Sequence, residues 1–402
     1  MAESRRVSRD TTELSEQGWE TTDLADIRAE WDLDQARDHL NHGSFGAVPR
    51  TVRRAQARWR ELSDENPMNF YRELRPPGVR VARQAATRFL GAEPDSLALV
   101  ANATTGVSTV LASFALRPGD EIVLTDHAYG AVTMAARRFA TAAGARLMIA
   151  QVDLAASDEE VVSAITAVMT DRTRLLVVDH VTSATARLFP VHMIAQAARD
   201  RGVATLVDGA HAPGMLPVRV DTIGADFWVG NFHKWAFAAR SVAGLWIAPA
   251  WQERIRPLVV SWNEEEKFPG AFDNQGTVDD SAWLALPDAL DFFASRQPKR
   301  LREHNNALAA YGQQTVAAAL GTDLTGVGGD PSLSMRLAPL PASVSDRQDG
   351  AHALSERIAR ELNAEVAITR WRDRGFVRLS AQLYNSADQY DRFAAGLAAL
   401  LR

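Results

Sequence analysis

Two ionisable residues, Asp208 and Lys234, each follow a short apolar run. Asp208 directly ends the run 203–207, and Lys234 comes shortly after the run 226–229. A lysine and a carboxylate at neighbouring strand ends suit pyridoxal phosphate (PLP). The lysine forms a Schiff base with the cofactor, and the carboxylate holds its ring nitrogen protonated. Because Asp and Lys are common residues, the surrounding chain must also supply a phosphate cup, a ring-stacking group and a substrate anchor.

A candidate phosphate cup lies at Thr104 and Thr105. The apolar run 96–100 is typical of a buried strand, and apolar residues recur at helical spacing from Val107 to Phe114. The first amides of a helix lack internal partners and bind anions, and two threonine hydroxyls add donors. Any capped helix after a strand gives the same pattern, so this signal alone is weak.

Two further stretches suggest contacts with a ligand. His127 and Tyr129 follow the strand pattern 121–125, and either ring suits stacking on an aromatic cofactor, while partly buried packing is the alternative. Gly43 and Gly46 flank Ser44-Phe45, which indicates a turn where the backbone approaches something closely. A plain loop before a helix is the equal alternative for that turn.

Strands and helices alternate around these residues. Strand patterns at 146–150, 173–178 and 244–247 alternate with helical patterns at 158–169 and 191–201. This alternation predicts an α/β fold with a parallel sheet covered on both faces. The candidate residues fall just after strands, where such sheets bind ligands, and comprise Thr104, His127, His180, Asp208 and Lys234.

Three segments are predicted from changes in composition. Residues 1–25 are polar and are expected to form a flexible N-terminal extension. Residues 26–285 are expected to form a large cofactor-binding domain whose first part packs with the small domain. Residues 286–402 are expected to form a small C-terminal α/β domain, with a helix over 298–320, a strand near Leu333, a helix from about Gly350, strands near Val366 and Val377, and a last helix over 389–401.

Composition excludes several functional classes. The chain has 402 residues, 46% hydrophobic and 23% charged, with a net charge of −6, which does not favour nucleic-acid binding. No apolar stretch approaches the ~20 residues of a membrane span, and the polar N-terminus predicts a cytoplasmic protein. Because cysteine is absent, thiolate metal sites, disulfides and cysteine nucleophiles are excluded, and no metal site is expected.

Seven stretches together resemble class V aminotransferase-fold PLP enzymes. They read NHGSFGAVPR, NATTGVST, TDHAYGA, VDGAHAPGM, NFHKW, QGTVDDSAWLALPDAL and VRLSAQLYN, and they lie between Asn41 and Asn385. Within that family the chain is similar to the branch of isopenicillin N epimerases and C–S lyases of specialised metabolism, which includes antibiotic biosynthesis. The resemblance implies the PLP-dependent transferase fold type I, a mainly parallel sheet between helices with a smaller C-terminal domain.

The resemblance also implies roles for individual residues. Lys234 would bind pyridoxal 5'-phosphate covalently, Asp208 would pair with its pyridine nitrogen, and His211 and His180 would lie near its phenolic oxygen. The implied phosphate ligands are Thr104, Thr105, Asn231 and His233, with Thr277 donated by the partner subunit of a homodimer. The family pattern does not choose between His127 and Tyr129 for ring stacking.

The substrate contacts follow from the same resemblance. Arg378 is similar to the arginine that binds the substrate α-carboxylate, a task that suits a bidentate guanidinium. Asn41, His42 and Arg240 are further candidate substrate contacts. Arg240 is either a contact for a second anionic group or an ordinary surface charge.

The reaction is predicted less sharply than the cofactor. Two segments, 183–186 and 239–243, depart from the common family pattern. We expect Lys234 to remove the Cα proton of an amino acid or cysteine conjugate, with β-elimination favoured. Epimerisation is the alternative, with Tyr129, His127 or His42 as the acid opposite Lys234, and decarboxylation-linked deamination is another. A fold relative that binds PLP poorly and serves as a binding or scaffold protein is the non-enzymatic alternative. For Lys234 itself the alternative is an ordinary surface lysine after an aromatic-rich strand.

Overall fold

The computed structural model describes residues 26–327, 329–345 and 350–402, so the predicted extension 1–25 lies outside the described residues. The longer helices are α1 (Arg50–Glu65), α2 (Arg75–Phe89), α3 (Ala103–Ser113), α4 (Gly130–Ala143), α5 (Asp158–Ala167), α6 (Val191–Arg199), α7 (Leu286–Ser295), α8 (Pro298–Leu320), α9 (Gly350–Glu361) and α10 (Ala387–Leu400). Single helical turns lie at Pro67–Asn69, Phe232–Trp235, Ser281–Leu284 and Ala342–Ser345, and a π-helical turn at Phe70–Leu74 precedes α2.

The strands form three sheets. They are β1 (Asp38–His39), β2 (Leu97–Val100), β3 (Glu121–Thr125), β4 (Arg146–Ala150), β5 (Thr173–Asp179), β6 (Ala204–Asp208), β7 (Phe227–Asn231), β8 (Ala243–Ile247), β9 (Met335–Pro339), β10 (Ala364–Glu365), β11 (Ala367–Trp371) and β12 (Arg374–Ser380). The largest sheet has seven strands in the order β2-β8-β7-β6-β5-β3-β4.

This seven-stranded sheet confirms the predicted mainly parallel architecture. The pairs from β7 through β6, β5 and β3 to β4 are all parallel. Only β8 is antiparallel, both to β7 and to β2. The short connection 232–242 returns the chain directly beside β7, whereas a parallel neighbour would need a long crossover.

Both faces of this sheet are buried, because successive side chains of a strand point to opposite faces. Val207 and Trp228 pack into one hydrophobic cluster with α2, α6 and α7. Leu206 and Phe227 pack into a second cluster with α3 and α4. The apolar strands therefore form the centre of a three-layer arrangement, and polar residues are placed at the strand ends.

A smaller unit is built from β9, β11 and β12, packed against α8 and α10. The strand predicted near Leu333 begins at Met335, and the helix predicted from Gly350 begins there. Near the start of the described chain, β1 pairs with β10, and Leu40 belongs to this unit's core. The first part of the chain thus packs with the C-terminal unit.

Helix α7 belongs by its contacts to the large unit. It packs on α1 and α2, and Phe292 and Phe293 are buried in the main cluster. The contacts change only after α7, where α8 packs on β9 and α10. We therefore propose a domain boundary at 295–298, because the apolar face of α7 is satisfied by the large unit and not by the small one.

Candidate active site

The carboxyl ends of β5, β6 and β7 bring Asp179, Asp208 and Asn231 to one edge of the large sheet. Asp208 is buried, and its Oδ1 accepts a hydrogen bond of 2.9 Å from the amide of Ala210. Burial raises the pKa of the Asp208 carboxyl. Lys234 lies in the helical turn that follows β7, close enough to Asp208 for their charges to interact.

Of the three lysines, Lys267 and Lys299 are exposed, whereas Lys234 is half-buried. Burial, together with the positive charge of Arg378, lowers its pKa to about 8, and Asp208 and Asp179 partly oppose this shift. An amine with this pKa is neutral in a substantial fraction of molecules near neutral pH. It is therefore available as a nucleophile or a base.

His211 contacts the lysine directly, with 3.0 Å between its Nε2 and Nζ of Lys234. Burial and the neighbouring cations hold the pKa of His211 well below its usual value, so the imidazole is neutral. The indole of Trp235 donates to Nδ1 of His211 at 3.4 Å. This leaves the imidazole proton on Nε2, directed at the lone pair of a neutral Lys234 amine.

The start of α3 forms a cup of backbone and hydroxyl donors. The side chain of Asn102 caps the helix by accepting from the amide of Thr105, and Oδ1 of Asn231 accepts from the amide of Ala103 at 2.8 Å. Thr104 is exposed, and neither its amide nor its hydroxyl has a partner among the described residues. Because the amide of Ala103 and both the amide and the hydroxyl of Thr105 are already engaged, the amide and hydroxyl of Thr104 are the donors that this helix start offers to an anion.

His233 lies next to Lys234 and is half-buried. Its Nδ1 is 3.1 Å from the carbonyl oxygen of Val242, and burial lowers its pKa to about 4. His233 is therefore neutral and adds no positive charge beside the phosphate cup. The side-chain oxygen of Asn231 accepts from the amide of Ala103 in α3. Its side-chain nitrogen has no hydrogen-bond partner among the described residues and can donate to a ligand.

Arg378 of β12 is a buried cation that faces the same site. Its Nη1 donates to the carbonyl of Ser183 at 2.7 Å, and its Nη2 donates to Ser44 Oγ at 2.8 Å and to Asn41 Oδ1 at 3.2 Å. Burial lowers its pKa to about 10, and its Nε is buried without a hydrogen-bond partner. Because all these partners are neutral, the guanidinium still lacks a counter-charge, which a carboxylate would supply.

The structure separates His127 from Tyr129. Both nitrogens of His127 are occupied, by Thr185 Oγ1 at 2.7 Å and the Val152 carbonyl at 2.9 Å, and its ring packs on Trp371 and Phe189. Tyr129 is 48% exposed and lies near Arg378. Only the ring of Tyr129 is therefore free to stack on a cofactor.

His127 instead braces the loop after β5. The carbonyl of Val152 can only accept, so the imidazole proton lies on Nε2, and Thr185 donates to Nδ1. Thr182 lies 2.6 Å from Thr185 and continues this chain of hydroxyls. The loop so held presents the Ser183 carbonyl to Arg378.

Asp179 was missed in the sequence, whereas its neighbour His180 was chosen. Asp179 is buried beside Asp208 and near Lys234. His180 accepts a long hydrogen bond, 3.4 Å, from the indole of Trp228, which belongs to the core on the sheet's other side. The position of Asp179 at the end of β5 could have identified it. Because residues 179 and 180 point to opposite faces of the sheet, only one of them can face the site.

The turn 41–46 contacts both cations of the site. Asn41 and Ser44 hold Arg378, as described above. His42 and Gly46 touch Lys234: Nε2 of His42 is 2.7 Å from its carbonyl oxygen, and a Cβ on Gly46 would lie 2.3 Å from that oxygen. This confirms the close backbone approach that the two glycines indicated. His42 is buried and tied to protein atoms at both nitrogens, so it does not face the substrate as expected.

Arg240 and Thr277, two of the predicted site residues, are exposed. Arg240 is exposed and donates to the carbonyl of Gly46, beside a surface cavity of about 420 Å³ that Arg53 and Arg60 also line. Thr277 is exposed in a loop anchored at both ends by ion pairs, Arg83–Asp273 and Arg75–Asp280. The contribution of Thr277 to the phosphate site of a partner subunit stays a prediction.

The donors and acceptors present fit PLP. A buried amine of low pKa suits its aldehyde, a carboxylate with one free oxygen suits its ring nitrogen, and unpartnered donors at α3 suit its phosphate. The unpartnered Nε of Arg378 suits the carboxylate of an amino acid. Within the described ranges no group of three or more His, Cys, Asp or Glu side chains is arranged to hold a metal ion, and no helix is long and apolar enough to span a membrane.

Comparison with known proteins extends this result. The chain is 32% identical over 396 residues to an isopenicillin N epimerase of Streptomyces clavuligerus, covering 94% of this chain and 98% of the relative. It is 30% identical over 409 residues to a putative L-cysteine desulfhydrase of Oryza sativa subsp. japonica, covering 92% and 84%. Among solved structures, a complex of the cystine C–S lyase C-DES with cysteine persulfide has a TM-score of 0.77 at 20% identity, covering 90% of this chain and 97% of that one.

A family model, that of the class V aminotransferases, matches residues 77–393. This match spans the large sheet, the lysine turn and most of the small unit. It confirms the predicted fold and the predicted cofactor, since this is a family of PLP-dependent enzymes. The chain belongs to the class V aminotransferase family of PLP-dependent enzymes.

Proposed function

We propose that the protein is a C–S lyase that removes the Cα proton from cysteine or a cysteine conjugate and expels the sulfur substituent by β-elimination. The observation that carries this proposal is that one site contains both Lys234, an amine with a pKa of about 8, and the buried guanidinium of Arg378. One group serves as base and the other as carboxylate anchor. PLP, when bound, withdraws the electrons left at Cα when the proton departs.

The residues of the chain then have distinct tasks. Arg378 binds the α-carboxylate and so orients the Cα–H bond towards Lys234. Nζ of Lys234 accepts the proton in its neutral form, which His211 favours by donating from Nε2. Asp208 would keep the cofactor's ring nitrogen protonated, and the amide and hydroxyl of Thr104 would bind its phosphate. The ring of Tyr129 would stack on the cofactor ring.

The bonds balance for an elimination with one base. The Cα–H and Cβ–S bonds break, the sulfur leaves with its electron pair and is protonated to a thiol or sulfide, and the remaining enamine reacts with water to give pyruvate and ammonium. Because the chain contains no cysteine, the sulfur leaves in a small molecule and not as a persulfide of this chain. Relatives that are named L-cysteine desulfhydrases support this assignment.

Epimerisation at Cα is the second candidate. It needs an acid on the face opposite Lys234, and two of the three expected acids, His42 and His127, have both nitrogens bound to protein atoms. Tyr129 remains, with an exposed hydroxyl near Arg378. The relatives named isopenicillin N epimerase favour this alternative, which depends on Tyr129 alone.

An assay in heavy water tests the proposal. The purified, PLP-loaded protein is incubated with L-cysteine and S-substituted cysteines, and pyruvate, ammonium and released thiol are quantified with the deuterium content and configuration of the remaining substrate. Elimination is supported if the substrate fragments, if Lys234→Ala abolishes this fragmentation and if the matched variant Lys299→Ala retains it. Deuterated, racemised substrate without fragmentation would contradict it in favour of epimerisation.

We further propose that the active form is a homodimer. Val278, the chain neighbour of Thr277, is 48% exposed, and Val260 and Trp262 of the preceding segment are 77% and 94% exposed. Exposed apolar surface of this kind is typical of protein interfaces. Sedimentation analysis of wild type and Trp262→Asp tests this, with a shift towards monomer and weaker PLP binding expected for the variant. The cytoplasmic location stays a prediction from the sequence.

A further inference from the structure

His42 makes a buried hydrogen bond to the main chain of Lys234. Its ring is 2% exposed, and its Nε2 lies 2.7 Å from the Lys234 carbonyl oxygen. Its Nδ1 lies 2.8 Å from the hydroxyl of Tyr384, which is itself buried. Neither residue reaches the reacting atoms, and neither has a role in the elimination described above.

The partners of His42 determine its tautomer. A carbonyl oxygen only accepts, so Nε2 carries the proton and donates to Lys234. Nδ1 is then the acceptor, and it receives the Tyr384 hydroxyl and, at 3.4 Å, the amide of Ala47. The amide nitrogen of Gln382 also lies 3.3 Å from Nε2. If Nε2 were unprotonated and accepted from Gln382, it would face the carbonyl oxygen of Lys234, another acceptor, at 2.7 Å. The shorter contact with the carbonyl therefore determines that Nε2 is protonated.

The lysine needs such a partner because of where it lies. Lys234 belongs to a single helical turn, Phe232–Trp235, so its carbonyl has no following turn to satisfy it. Gly46 packs directly against the same oxygen and leaves no room for another donor on that side. Without His42, a buried carbonyl would remain unpaired and the lysine turn would be free to rotate.

We infer that His42 is a positioning residue that fixes the main chain of Lys234, and that Tyr384 holds His42 in the tautomer able to do so. The inference rests on the proposed role of Lys234 as the residue that binds PLP. It assigns a function to two buried groups that act on the main chain of Lys234 and not on its amine. The side chain of Lys234 can then approach the cofactor with little loss of freedom, because its backbone is already held.

Two substitutions of His42 separate the two ring nitrogens. In His42→Gln the amide nitrogen can occupy the position of Nε2 and still donate to Lys234, whereas in His42→Asn the shorter amide reaches only the position of Nδ1. His39→Asn is the matched control, since that histidine contacts Asp34 and not the lysine turn. Tyr384→Phe removes only the hydroxyl that donates to Nδ1.

The readouts are the equilibrium dissociation constant of PLP and the rate of its covalent attachment, followed by absorbance, with the melting temperature of each apoprotein. We expect His42→Asn to weaken PLP binding and to slow attachment about tenfold. His42→Gln and His39→Asn should remain within about threefold of wild type. Equal values for His42→Asn and wild type, or equal losses in His42→Gln and His42→Asn, would overturn the inference.

Nitrogen NMR of protein with ¹⁵N-labelled histidine provides a test that is independent of the cofactor. We expect the resonances of His42 in the wild-type apoprotein to show a proton on Nε2, and Tyr384→Phe to show a mixture of tautomers. A proton on Nδ1 in the wild type would refute the inference even if the asparagine variant failed to fold. Loss of covalent attachment is expected in Lys234→Ala; if that variant still attached PLP, the proposed function would fail while the tautomer result stood.

Discussion

Asp179 and Asp208 are paired positions at the ends of the adjacent parallel strands β5 and β6, and both are buried. Burial, followed by the charge of Asp208, raises the pKa of Asp179 well above its ordinary value. Burial also raises the pKa of Asp208, while the amide of Ala210 and the charge of Lys234 lower it. Asp208 is therefore the member of the pair that ionises more readily, and Asp179 is the one that keeps a proton.

This pair makes the stability of the apoprotein depend on pH. In the unfolded chain both groups ionise near 3.8, whereas the folded protein retains protons to higher pH. The folded state thus binds more protons between that value and the raised pKa, so the free energy of unfolding falls as pH rises through this window. We expect Asp179→Asn to flatten that fall in urea denaturation curves. Asp373→Asn, at a fully exposed site, is the control, and equal slopes in all three proteins would contradict the prediction.

The reactivity of Lys234 should follow its lowered pKa. The neutral amine is the nucleophile, so the rate at which the apoprotein binds PLP covalently should rise with pH and level off above about 8. Arg378→Gln removes a neighbouring positive charge and should move the midpoint to higher pH. The exposed matched variant Arg240→Gln should leave it in place. A midpoint near the ordinary lysine value in the wild type would show that the amine is not held as described.

Tyr129 and not His127 should stack on the cofactor. Tyr129→Phe keeps the aromatic face and should bind PLP within about threefold of wild type, whereas Tyr129→Ala should bind about tenfold more weakly. Elimination should persist in Tyr129→Phe, because this reaction needs no acid on the second face. Loss of all turnover in Tyr129→Phe with unchanged PLP binding would instead favour epimerisation.

His127→Ala should lower the melting temperature by loosening the loop that carries Ser183.

Arg378→Lys should damage substrate binding more than cofactor binding. A lysine cannot form the bidentate contact that arginine makes with a carboxylate. It also has fewer donors, so Ser44 Oγ and Asn41 Oδ1 lose the hydrogen bonds that Nη2 donates to them. We expect KM for L-cysteine to rise about 100-fold with PLP affinity nearly unchanged. Arg374→Lys, on the exposed end of the same strand, is the matched control. An unchanged KM would remove Arg378 from the substrate site.

The sheet and its order of strands and helices were predictable because apolar periodicity is a local property. Runs such as 203–207 and 173–178 become β6 and β5, and polar residues after them do meet at one edge. The boundary proposed at 295–298 could not be predicted in this way. The apolar residues of α7 show that it is buried, but only the fold shows that α1 and α2 cover it.

The site was predicted less completely, for a different physical reason. Residue types at strand ends identify which side chains can do chemistry, as for Lys234 and Asp208, but not which way each one points. His42 and His127 have the right type and a suitable place in the chain, yet distant partners, Tyr384 and Val152, engage their nitrogens. Tertiary contacts of this kind leave no signal in the local sequence.

The turn 41–46 has a consequence for the substrates that can react. Since it braces the main chain of Lys234 with His42 and Gly46 and the guanidinium of Arg378 with Asn41 and Ser44, it sets the separation between amine and anchor. An α-amino acid carries its reacting carbon directly beside its carboxylate, whereas a β-amino acid places one more carbon between them. The turn therefore sets a spacing that favours α-amino acids over β-amino acids. Inserting a residue into the turn should shift the preference towards β-amino acids.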